Sequence, residues 1–154
     1  MIHIYKPNSK NTGCAASFYC NTSPKTGELV VFISVIQQHS WNGEKRTGSF
    51  QENKGNPEKS ANIKLNQFEV GEFINSIRTY REFSAFHSFG EDKTQIALTN
   101  WKKSENEKWF GLSLNRNGIK YKLPITSGEA ETIKVFLEGV LLKNYDKSYD
   151  YKKD

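Results

Sequence analysis

Histidine, cysteine and methionine are scarce in this chain, and so are the centres they build. Among 154 residues there are three His (His3, His39 and His87), two Cys and one Met. No two histidines stand at the spacing of a helical metal pair, and two cysteines supply no zinc ligand set. No G-x-S-x-G, P-loop or dinucleotide-binding glycine pattern occurs. No pair of carboxylates sits at strand ends as two-metal work requires. His87, flanked by Phe86 and Phe89, reads as structural. The expectation is a protein that is not an enzyme, with no metal and no cofactor. Long apolar runs are also missing, so no membrane helix is expected. Residues 1–6 form neither a signal peptide nor an Arg-rich transit peptide, which points to the compartment of synthesis.

Cys14 and Cys20 sit six residues apart on one predicted strand. Six extended residues span roughly 20 Å, which excludes a disulfide within a straight strand. Small buried thiols are the expectation.

What the chain does have is rings and positive charge. Ten Phe, seven Tyr and three Trp supply bulk to a chain only 36% hydrophobic. Its 22 basic and 17 acidic residues leave a net charge of +5. That excess fits nucleic acid or an anionic surface, although many ordinary proteins share it.

Position along the chain adds a second signal. Sixty residues separate Trp41 from Trp101, Phe50 from Phe110 and Glu69 from Glu129. Asn66-Gln67-Phe68-Glu69 and Thr126-Ser127-Gly128-Glu129 are both helix starts, a capping side chain followed three residues later by Glu. Each follows an alternating apolar pair, Ile63/Leu65 and Leu123/Ile125. The chain therefore reads as an α+β fold of tandem ββββα repeats, two antiparallel sheets with two packed helices, in one domain over 1–143. Residues 1–13 read as a polar lead-in. The first unit (about 14–80) has strands at 14–21, 28–38, 45–51 and 61–65. Its helix carries the stripe Val70, Phe73, Ile74 and Ile77. The second unit (83–143) has strands at 83–89, 94–101, 108–114 and 118–125. The stripe of its helix is Ala130, Ile133, Leu137, Val140 and Leu141. Val135, Phe136 and Leu142 widen that stripe around the helix, which points to a partner subunit or a deep groove. The remainder, 144–154, reads as a frayed, charge-neutral tail.

Two strand-loop-strand regions interleave cations with rings. The first is Trp41, Lys45, Arg46 and Phe50; the second is Trp101, Lys102, Lys103, Lys108 and Trp109. Cations neutralise phosphates, and flat rings stack unpaired bases without reading sequence. Lys120 and Lys122 alternate with Ile119, Tyr121 and Leu123, so both point to one face, expected to be the wet one. Lysine on a wet sheet face also serves plain solubility, and Trp at a turn is often core.

Several segments resemble the Whirly family and its smaller relative, the fold of the transcriptional coactivator PC4. The stretch 63–74, Ile-Lys-Leu-Asn-Gln-Phe-Glu-Val-Gly-Glu-Phe-Ile, resembles the family's strand-to-helix segment. Residues 109–114 and 119–126 are similar to its Phe-x-Leu-Ser-Val strand and its Ile-Pro-Val-Thr helix entry. At the N-terminus Ile4-Tyr5-Lys6 resembles the start of the family's first strand. An insertion follows, and Cys14 stands where the family has a second lysine, a place that Lys6 or Lys10 would fill. The resemblance implies sequence-independent binding of single-stranded DNA, in replication, recombination or repair, by a homo-oligomer, with a tetramer favoured. It also implies a phage or bacterial type of protein in the cytoplasm of a bacterial or virus-infected cell. The binding residues expected are Lys6, Lys10, Lys45, Arg46, Lys102, Lys103, Lys108, Lys120 and Lys122 for phosphates. Trp41, Trp101, Trp109 and Tyr19 are expected to stack bases. Two alternatives remain open: an RNA-binding protein of the same fold, as in kinetoplastid relatives that handle guide RNA, or a PC4-like transcription cofactor and protein-interaction module.

Overall fold

Apolar residues at every second position define the sheets, because alternate side chains of a strand share a face. A computed structural model describes residues 1–146. The first sheet has strand order β1-β2-β3-β6, from β1 (Ile2–Lys6), β2 (Cys14–Thr22), β3 (Leu29–Gln37) and β6 (Ser60–Leu65). The second has order β10-β9-β8-β7, from β7 (Phe83–Phe89), β8 (Asp92–Lys102), β9 (Lys108–Arg116) and β10 (Ile119–Ile125). All pairs in both sheets are antiparallel. A helix follows each sheet: α1 (Gln67–Thr79) and α2 (Ser127–Tyr145). The protein is thus α+β.

Both helices start where the sequence places them, and both capping boxes form. The Asn66 side chain accepts from the Glu69 N–H while Glu69 accepts from the Asn66 N–H; Thr126 and Glu129 do the same. The helices pack on each other, α2 also against β3 and β9, and α1 against β7. One hydrophobic core joins both sheets and both helices. Phe18 and Phe73 are fully buried at its centre, edge to face with ring centres 6.0 Å apart. Truncating Phe73 to Ala is expected to cost about 3–5 kcal/mol.

Four expectations need correction. Residues 2–6 are not lead-in but edge strand β1, whose Ile2 and Ile4 face inward. Five residues give too little pattern to be seen alone; pairing with β2 makes the strand. The expected strand at 45–51 is absent from the sheet. Its residues lie instead in a separate small hairpin, β4 (Ser40–Asn42) with β5 (Thr47–Ser49), and in a 3-10 turn, Gln51–Asn53. The segment has one large apolar residue, Phe50, and a left-handed backbone at Arg46 (φ 53°), so it offers the sheet no alternating face. β6 takes the vacant place beside β3. Trp41 and Trp101 therefore lie in non-equivalent elements despite their 60-residue offset, as do Phe50 and Phe110. Finally, Asn144 is no frayed tail. It is helical, and its side-chain amide exchanges two hydrogen bonds with the Leu29 backbone, at 2.8 and 2.9 Å. Residues 147–154 of the expected tail lie outside the described residues.

Both cysteines are free. Cys14 is buried, and burial pushes its thiol above the ordinary cysteine value, the state of an unreactive thiol. Cys20 is half-buried. No helix among the described residues is long and apolar enough to cross a membrane.

Candidate nucleic-acid interface

Each sheet turns one face to the helices and leaves the other without a helix; on the first sheet the segment 50–57 overhangs part of that outer face, where Phe50 packs on Tyr5 and Ala15 is buried. On the uncovered face of the second sheet stand Phe86, Lys93, Trp101, Trp109, Lys120 and Lys122, with small or amide side chains between them. Trp101 and Trp109 are directly opposed across β8 and β9, edge to face, with ring centres 5.8 Å apart. Phe86 is 61% exposed and Trp101 47%. Holding rings of this size exposed to water costs hydrophobic free energy that a stacked ligand would recover. Just past β8, the Lys103 ammonium sits 3.9 Å from the Trp109 ring centre. This places a cation and a π-face together.

The uncovered face of the first sheet has different chemistry. Register aligns rows of side chains across its strands: Tyr19, Phe32 and Lys64; then His3, Ser17, Ser34 and Asn62; then Tyr5, Ala15, Ile36 and Ser60. Tyr19 and Phe32 stack at 5.4 Å with planes 13° apart. The two faces meet where β10 approaches β2 and β3. There Lys59, Lys120 and Lys122 line a cavity of about 420 Å³ together with Asn11, Gln37 and His39. Gln37 donates to the Lys120 carbonyl across this seam (3.4 Å).

Charge is segregated between elements. Among the described residues, Asp92 is the only acidic residue in any strand, while Lys6, Lys64, Lys93, Lys102, Lys108, Arg116, Lys120 and Lys122 all lie in strands. Asp92 is itself answered. A hydrogen bond from Asn117 and the charge of Arg116, 3.3 Å away, hold its carboxyl below the ordinary aspartate value. The remaining acids occupy helices and loops. The strands themselves therefore bring no carboxylate to the outer faces that would repel a polyanion.

The expected binding residues divide accordingly. Tyr19, Trp101, Lys103, Trp109, Lys120 and Lys122 stand on or beside the uncovered faces. Lys102 and Lys108 do not: they oppose each other on the helix side, where Lys108 lies 5.4 Å from the Tyr80 ring centre. Like charges directly opposite cost stability, and at the tip of a hairpin an anion would relieve them. Lys6 also faces inward, 2.8 Å from Glu129, and so ties the sheet edge to the start of α2. Trp41 is half-buried in the small hairpin, whose turn carries Lys45 and Arg46, while Lys10 is exposed in the β1–β2 loop. Sequence reasoning passed over Lys59, Lys64, Phe86 and Lys93. For Lys64, Phe86 and Lys93 strict alternation was the available signal. Lys59 joins the seam only through the fold. Among the described residues no group of His, Cys, Asp and Glu is placed to hold a metal ion.

Neither a family model nor a curated protein matches the chain. A solved structure does, one titled as crystal structures of Trypanosoma bruciei MRP1/MRP2. The TM-score is 0.56 at 12% identity, over 93% of this chain and 84% of that one. The likeness is one of fold.

Proposed function

We propose that the protein binds single-stranded nucleic acid, foremost DNA, along the uncovered faces of its sheets and with limited dependence on sequence. The observation that carries this reading is the pairing of exposed rings with lysines on strands whose sole acid is already neutralised. The phosphates would follow Lys120, Lys122 and the seam, and the bases would stack on Trp101, Trp109 and Phe86. A duplex would not suit this surface, since its bases are already stacked on one another. The same reading treats the two sheet-plus-helix halves as copies of one ββββα unit, akin to the Whirly and PC4-like proteins. The hairpin and loop at 40–59 are then an insertion in the first copy. It also takes the exposed apolar side of α2, with Val135 62% and Leu142 50% exposed, as the contact between subunits of a homo-oligomer.

Fluorescence anisotropy with labelled oligo-dT at two salt concentrations tests it, with an RNA oligomer of matched sequence as competitor. Binding should weaken with salt at a log–log slope of ~0.7 per phosphate neutralised. Absence of binding at low salt contradicts the proposal. Preference for the RNA competitor would reassign the ligand while keeping the site.

A further inference from the structure

The insertion that sets the first sheet apart also builds a cavity on it. Phe50, at the end of β5, packs on Tyr5 with ring centres 5.9 Å apart and planes at 55°. His3 also stacks with Tyr5, at 6.0 Å and 25°. Lys54 and Pro57 of the insertion close in from above, and Arg116 reaches in from the second sheet. The cavity, open to solvent on one side, has a volume of about 460 Å³, within the range of small-molecule sites. Its floor is the row Ser17, Ser34 and Asn62. Ser17 is engaged by His3 Nδ1 at 2.9 Å. The Ser34 hydroxyl and the Asn62 amide make no hydrogen bond to the protein among the described residues.

We propose that this cavity receives one base of the bound strand and reads its identity. The inference rests on the function proposed above. An aromatic wall, a floor with an unpaired amide and hydroxyl, and the exposed Lys54 at the mouth match the three parts of a nucleotide: the face of the base, its edge and its phosphate. Stacking alone is indifferent to sequence, because every base has a π-face. Fixed polar groups are not indifferent: a base that leaves the amide unpaired loses affinity. The first sheet therefore confers a base preference at one position, while the second supplies grip without preference.

The test compares labelled 12-mers of dT, dA and dC by anisotropy, using the wild type, Ser34→Leu, Asn62→Ala and Lys122→Glu. Ser34→Leu fills the cavity. Asn62→Ala is the gentler variant, at an exposed site, and guards against misfolding of the first. The wild type should show a spread of at least about tenfold among the three oligomers. Both cavity variants should compress that spread to within about twofold, with the weakest oligomer nearly unchanged. Lys122→Glu should weaken all three by a common factor and preserve the spread. Equal wild-type affinities, or a spread that survives Ser34→Leu and Asn62→Ala, overturns the base pocket and leaves the general binding intact. Failure of the wild type to bind any of the three removes both.

Discussion

The two uncovered sheet faces share a topology and differ in chemistry. The second offers a paired indole cluster, a free phenyl ring and three strand lysines; the first offers stacked rings, a row of hydroxyl and amide groups, and Lys64 as its only strand cation. Backbone pairing specifies where side chains point but not what they are. Two sheets of one design can thus divide the binding of a strand between them, with charge and stacking on one and contact with base edges on the other. The covered faces differ far less, because both must fill one core.

The sharpest way to break that division is charge reversal. Lys120→Glu combined with Lys122→Glu should lower affinity for oligo-dT by about a hundredfold at low salt and reduce the salt slope, since each lost phosphate contact removes ~0.7. Lys64→Glu on the first face should cost less than a tenth of that factor. Equal losses would abolish the distinction between the faces.

A smaller effect is expected from the rings. Trp101→Ala should weaken binding about tenfold with the salt slope unchanged, because stacking releases no counterions. Tyr19→Ala, which breaks the stack on Phe32, should weaken it by no more than about threefold. Titrations at three salt concentrations separate ring effects from charge effects.

The smallest effect should appear in stability alone. Burial pushes the Glu129 carboxyl up, but its bonds to Lys6 and to Thr126 outweigh this and hold it below the ordinary glutamate value. A carboxyl lowered in the folded state stabilises at neutral pH, and that contribution fades as pH falls through and below the ordinary carboxylate range. Lys6→Met should therefore cost less than about 1 kcal/mol at pH 7 and narrow the loss of melting temperature on acidification. Oligo-dT affinity should stay within twofold of wild type, because Lys6 points inward. A large loss of affinity would return Lys6 to the interface.

How much of this was legible in the sequence follows from the range of each signal. The strand-to-helix junctions at Asn66 and Thr126 were readable because a capping box is complete within four residues. The outward aim of Lys120 and Lys122 was readable because alternation needs only neighbours. Strand β1 left no periodic signal, only the resemblance at Ile4-Tyr5-Lys6, since its five residues become a strand only against β2. The place of β6 beside β3 was hidden for the same reason, as it depends on skipping an insertion that looked like a strand. Lys102 and Lys108 stand on the opposite face from their tryptophan neighbours, which grouping by sequence proximity does not show. Adjacent strand residues face opposite ways, so a lysine next to an outward indole points inward. Alternation applied residue by residue from Trp101 and Trp109 would have separated them. The base cavity had no sequence signal at all, because it joins Tyr5, Ser34, Phe50 and Asn62 from four separated segments.

The most direct test of the central claim is a two-dimensional NMR titration of the protein with oligo-dT, following the three indole N–H signals and the backbone amides. The indoles of Trp101 and Trp109 and the amides of 119–123 should shift with added oligomer, while the indole of Trp41 and the amides of α2 stay in place. Shifts confined to α2, or none at a concentration where anisotropy reports binding, would contradict it.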